Sequence, residues 1–203
     1  MTTVAELSLT SRSRTRPRRL RLLDRWVAQH ETLPADALFV DVGVGHEPWT
    51  TLEVTECFGH VRVIGVDTDA ACIEAARRRA RPPKLVFCAP GGIRAGSAQL
   101  VRVMNVLRGA PHGDLHAALV AWGSWLEPDG GVLYEGTASA TGDVLVASRF
   151  VREGRRLRRA GLLFATDFSR GFHPHQLRDR LPRELRGRRE ARPLDVFFSA
   201  WRQ

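Results

Sequence analysis

The sequence predicts an α/β fold: a doubly wound, mostly parallel sheet of seven strands, helices on both faces, and an antiparallel strand pair near the C-terminus. Three observations predict it. Short apolar runs alternate with segments of helical composition through the first half of the chain. Each run stops at a turn-forming residue, which suits buried strands that feed crossover helices. Beyond Thr137 the rhythm changes to two β-like runs joined by an arginine-rich segment, as expected of a hairpin added to the end of a parallel sheet.

Taken in order, residues 1–17 (MTTVAELSLTSRSRTRP) are polar, arginine-rich and closed by Pro17, so a flexible tail is expected, with residues 18–203 forming one domain. From Arg18 to about Gln29, Leu20, Leu23, Trp26 and Val27 fall at helical spacing and predict an amphipathic helix that caps the sheet. ALFVDVG (37–43), VRVIGVDTD (61–69) and KLVFCAP (84–90) read as three strands, with helical segments at 49–58 and 70–80 between them. Right-handed crossovers make these strands parallel. Residues 98–107 read as a fourth strand, although their length and residue types also permit a helix.

An amphipathic helix is expected over 113–126, then a turn in EPDGG leading into a fifth strand that ends near Thr137. Pro, Asp and paired Gly each favour that turn for a separate reason. Residues 144–151 and 162–168 are the antiparallel pair, with Arg152, Arg155, Arg156, Arg158 and Arg159 expected at a solvated hairpin tip. One or two short helices broken by Pro182 and a last apolar element, LDVFFSAW, complete the chain.

Composition bounds the function. A chain of 203 residues with 43% apolar content can bury a proper core. The net charge of +9 belongs to its ends: residues 1–31 carry seven Arg against three acids and residues 170–203 nine against four, while the stretch between balances at fifteen and fifteen. Basic ends add nucleic acid as a candidate partner. Cys57, Cys72 and Cys88 lack the spacing of a zinc or redox motif and sit in apolar segments, which predicts a reducing, cytoplasmic setting. No apolar run approaches the roughly 20 residues of a membrane span.

The functional signal is LFVDVGVGHEPWTTLE. A strand that stops at a glycine turn and passes into a helix brings backbone N–H groups close to a ligand, and Gly43 and Gly45 keep Cβ atoms out of its way. Asp67 ends the second strand 24 residues after Gly43, where a carboxylate accepts from the hydroxyls of an adenosine ribose. A dinucleotide site calls for G-x-G-x-x-G, but GVGHEP places Pro48 at the third glycine and Glu47 beside the phosphates. A carboxylate there repels pyrophosphate and tolerates a sulfonium cation and an α-amino group. A phosphate-binding GxxxxGK[ST] loop is absent.

VDVGVG followed by VIGVDTD resembles motif I and the acidic second-strand motif of the class I S-adenosylmethionine-dependent methyltransferases, and LEPDGGVL is similar to their segment before strand five. RVMNVLRG is similar to the end of strand four in several members, including those that methylate chemotaxis-receptor carboxylates. Combined with EPWTTLE, the pattern most resembles small bacterial members. The resemblance covers residues 38–137 and implies a Rossmann-like methyltransferase fold with S-adenosylmethionine as cofactor. It places Asp41, Gly43 and Gly45 along the methionine part, Asp67 on the ribose, Thr68 beside the adenosine and Asn105 facing the methyl group or its acceptor. CAPGG replaces the acid that often follows strand three, and no NPPY-type motif follows Asn105.

Other residues carry weaker signals. Trp49 is expected to pack on the sheet, His46 to be a solvated loop residue, and Glu135 to end strand five in solvent. The pairs His112/His116 and His173/His175 lack an obvious third ligand, so no metal site is expected. No catalytic residue is singled out, because displacement at an activated sulfonium needs chiefly positioning and desolvation. The acceptor is open among small molecules, proteins and RNA. The rival expectation is an inactive methyltransferase-like module that binds RNA or a protein through its basic flanks.

Overall fold

The computed structural model describes residues 16–107, 112–168, 171–182, 185 and 191–201. Apart from Arg16 and Pro17, the expected tail over 1–17 lies outside the described residues, as does the side chain of His112. Strands β1 (Leu38–Val42), β2 (Arg62–Val66), β3 (Leu85–Cys88), β4 (Leu100–Met104) and β5 (Asp129–Ala138) run parallel, and β6 (Val144–Glu153) and β7 (Arg156–Thr166) complete an antiparallel meander. The sheet order is β3-β2-β1-β4-β5-β6-β7, the seven-stranded doubly wound architecture that the sequence predicts.

Both faces are covered. Helices α1 (Arg21–His30), α2 (Trp49–Cys57) and α3 (Ala70–Arg77) place Leu23, Val27, Leu52, Val54, Ile73 and Ala76 against Phe39, Val63, Leu85 and Tyr134. Helix α4 (His112–Gly123) lays Leu115, Ala118 and Trp122 on Val40, Val101, Val103 and Leu133 of the opposite face. Residues of β1 and β4 are buried on both sides, which is why these strands read as continuous apolar runs. Helices α5 (His175–Arg178) and α6 (Ala191–Ala200) cover the end of the meander, with Leu177, Leu181 and Phe198 against Val144 and Val146.

Helix α1 caps the sheet through polar contacts as well. Glu31, just past its end, accepts the Tyr134 hydroxyl of β5 and both guanidinium donors of Arg149 on β6 at 2.6 and 2.9 Å. At its start Arg19 donates to the carbonyls of Ser139 and Ala138 at 3.0 and 3.2 Å, holding the helix over the carboxyl end of β5. No helix among the described residues is long and apolar enough to cross a membrane.

Three boundaries depart from expectation. The fourth strand stops at Met104, because Asn105 takes φ +64° and turns the chain out of the sheet. The arginine-rich segment is part of the hairpin strands, with the turn confined to Gly154 and Arg155. As an edge strand β7 alternates exposed and half-buried residues, so its apolar signal is too weak to set its start. Glu135 lies inside β5 and is 6% exposed, since that strand runs three residues further, to Ala138.

Candidate functional site

Strand β1 pairs with β2 on one side and β4 on the other, so the connections that leave β1 and β4 diverge. A crevice at the carboxyl edge of the sheet opens at such a switch point, and open α/β folds bind ligands there. The turns after β1, β2 and β4 form its rim.

The first turn needs glycine for two different reasons. Gly43 has φ +83°, and a Cβ added to it would lie 2.5 Å from Cγ2 of Val106, which follows β4. Its N–H donates to the Val66 carbonyl at 2.7 Å, fastening the turn to the end of β2. Gly45 has φ +65°, and its N–H donates to Asp67 Oδ2 at 2.9 Å. Asp67 Oδ1 accepts the N–H of Asp69 at 3.0 Å, so one carboxylate, 7% exposed, joins the turns after β1 and β2. Each of its oxygens keeps a second lone pair for a ligand. Thr68 stands exposed between Asp67 and Asp69, and the Asp69 side chain caps α3 by accepting the Ala71 N–H at 2.8 Å.

Asp41 lies behind this rim, 3% exposed, with its carboxylate enclosed by donors. Arg102 of β4 donates Nε to Oδ1 at 2.9 Å and a terminal N–H to Oδ2 at 2.8 Å, and Thr51 of α2 donates its hydroxyl to Oδ2 at 2.7 Å. Arg102 is fully buried, and it also pairs with Asp24 of α1 and donates to the Thr50 carbonyl at 3.0 Å. Burial works against its charge, but the two aspartates hold it and push its pKa further up. Burial pushes the Asp24 carboxyl up to about 6, with Arg102 opposing and Asp41 and Glu53 adding to the rise. This ion cluster ties α1, α2, β1 and β4 together directly beneath the glycine turn.

Asn105 sits on the β4 side of the crevice. Its backbone N–H donates to the Gly136 carbonyl at 2.8 Å and its side-chain oxygen accepts the Ala138 N–H at 3.0 Å, so it locks the exits of β4 and β5 together. Its left-handed φ is one that Asn tolerates better than most residues.

Gly43, Gly45, Asp67, Thr68 and Asn105 thus converge on one edge of the sheet, with Asp41 one layer below. Arg102 and Asp24 were missed by sequence reasoning. The available signal was a charge inside each of three apolar segments, LVRVM, FVDV and LLDRW, since buried charges must find partners.

Outside the crevice, Trp49 packs against the core of its sheet face and donates Nε1 to Glu47 at 2.9 Å, while the Arg79 guanidinium lies 5.3 Å from its ring centre. These residues, with His46, Ala75 and Arg78, line a cleft of about 220 Å³. His173, just before α5, stacks on His175 at the start of that helix, with ring centres 5.1 Å apart.

No family model matches the chain, and no curated protein does. Solved structures do. The geranyl diphosphate C-methyltransferase of Streptomyces coelicolor A3(2) is 22% identical, with 57% of this chain and 44% of that one covered at a TM-score of 0.47. A S-adenosylmethionine-dependent methyltransferase from Methanosarcina mazei is 21% identical, with 53% and 55% covered at 0.44. The cyclase SpnF is also similar, at 21% identity and a TM-score of 0.43. The chain thus spans about half the length of these proteins, and likeness at this level concerns architecture alone.

Proposed function

We propose that this protein is a S-adenosylmethionine-dependent methyltransferase. The observation that carries the reading is the Asp67 carboxylate, held by the N–H groups of Gly45 and Asp69 at the carboxyl edge of the sheet, beside the switch point. In this reading Asp67 accepts from the ribose hydroxyls, Thr68 lies along the adenosine, and Gly43 and Gly45 let the methionine part approach the backbone. Asn105 faces the reacting end. Asp41, enclosed by Arg102 and Thr51, serves the ligand by fixing the turn.

The reaction is an in-line displacement: an acceptor lone pair forms a bond to the methyl carbon, the carbon–sulfur pair returns to sulfur, and S-adenosylhomocysteine leaves. The sulfonium is already activated, so this chain's contribution is to orient the two reactants and exclude water. The acceptor is a small molecule, a protein side chain or RNA, and the basic ends supply charge suited to RNA. Three free thiols suit a cytoplasmic setting, and the sequence resemblance suits a bacterial one.

Calorimetric titration with S-adenosylmethionine and S-adenosylhomocysteine, with NAD as control, tests the proposal. Micromolar binding that weakens at least tenfold in a folded Asp67→Ala variant is the expected outcome, since a lost charged hydrogen-bond pair is worth roughly 1.5–3 kcal/mol. Absence of binding to both compounds overturns the enzyme reading. Salt-dependent RNA affinity indifferent to Asp67→Ala would then mark a binding module.

A further inference from the structure

Three side chains of different chemistry meet on the outer side of the same rim. His46 follows Gly45 in the first turn, Asp69 caps α3, and Cys72 lies in the first turn of that helix. Their ligand atoms all lie within 4.8 Å of one another. His46 and Asp69 are exposed and Cys72 is 4% exposed, which gives the group an open mouth and a dry floor.

We propose that His46, Asp69 and Cys72 bind one borderline divalent cation, zinc foremost, with a fourth position open to solvent. Imidazole nitrogen, carboxylate oxygen and thiolate sulfur are the donor set zinc takes, and three protein ligands with one open position is its usual arrangement where a small molecule must enter. Tetrahedral zinc with these donors spaces its ligand atoms roughly 3.3–3.8 Å apart. With every pair already within 4.8 Å, none needs to close by more than about 1.5 Å, within the rotamer reach of two exposed side chains.

The surroundings favour the cation. The Ala71 N–H on Asp69 Oδ1 orients that carboxylate, and the Cys72 thiol and backbone N–H hydrogen-bond to the same carboxylate. The Asp67 and Asp69 carboxylates both act on the buried Cys72 thiol. Those carboxylates disfavour a bare thiolate and attract a dication, so metal binding displaces the thiol proton. One thiolate, one carboxylate and a dication leave no net charge. A hard ion such as magnesium gains nothing from sulfur. His46 belongs to the Gly45 turn and Asp69 to the Asp67 turn, so the cation ties the same two turns that Asp67 ties by hydrogen bonds. The site is independent of the methyltransferase reading, because its ligands are this chain's own side chains.

Cobalt(II) titration of the metal-free full chain, in a Cys57→Ser background that removes the exposed thiol, tests the proposal. Expected are saturation at one equivalent, a near-ultraviolet thiolate-to-cobalt band and the intense visible bands of four-coordinate cobalt, all displaced by zinc and untouched by magnesium. His46→Ala changes an exposed loop residue and should weaken binding at least tenfold with the fold intact. Cys72→Ser should abolish the charge-transfer band, and affinity should tighten about tenfold per pH unit while one thiol proton is displaced. No charge-transfer band at one equivalent overturns the site, as does a band that survives Cys72→Ser or ignores His46→Ala. Parallel titration with S-adenosylmethionine separates the two proposals, since each can fail while the other stands.

Discussion

Strands β4 and β7 belong to one sheet and both carry arginine, yet the two use it in opposite ways. In β4, Arg102 is fully buried, and each of its three guanidinium nitrogens donates to Asp24, Asp41 or the Thr50 carbonyl. In β7, Arg158 is exposed and pairs with an equally exposed Glu153 across the hairpin at 2.7 Å. The parallel half buries its strands on both faces, so a charge there must be neutralised at a fixed place and can fix several elements at once. The antiparallel half has a free edge, where charge keeps other strands away and geometry matters little. The crevice is built on the first kind of arginine.

The largest break in this comparison should come from Arg102→Met. It leaves the Asp24 and Asp41 carboxylates buried without their cation, and urea unfolding should show a loss of about 3–5 kcal/mol. Next, Gly43→Ala should cost about 2–3 kcal/mol. A double-mutant cycle with Val106→Ala should assign roughly 1 kcal/mol to the clash, leaving about 1–2 kcal/mol for the left-handed φ.

A subtler effect concerns pH. The folded pKa of Asp24 stands at about 6 against an ordinary 3.8, so the folded state holds this proton more tightly. The stability Asp24 contributes is complete below the lower value and is lost as pH rises through the upper one. Unfolding at a series of pH values should show that decline in the native chain and its absence in Asp24→Asn. The smallest effect should be Arg158→Ala, below about 0.5 kcal/mol because both partners are exposed. A loss above 1 kcal/mol would mean the hairpin charges are structural after all.

Much of the site was legible because its signals are local. A glycine pair after an apolar run and an acid at the end of the next run place Gly43, Gly45 and Asp67 on one sheet edge as soon as the strands are parallel. The arginine-rich hairpin was less legible, since β7 is an edge strand whose side chains alternate between solvent and partial burial. Glu135 reads as a solvated strand end in the sequence, whereas the sheet continues through Gly136, Thr137 and Ala138 by pairing with β6.

The succession of strands and helices, the place of the glycine turn after β1 and the acid at the end of β2 can be read from the residues alone. Each of these depends on residues within one turn or one strand of one another. Tertiary packing alone settles which charges meet: Arg102 with Asp41, 61 residues away, and with Asp24, 78 residues away. It also decided that His46, Asp69 and Cys72 share one corner. Such pairings follow from strand register and from the face each helix presents, which are fixed by packing across the whole sheet and leave no spacing in the chain to read.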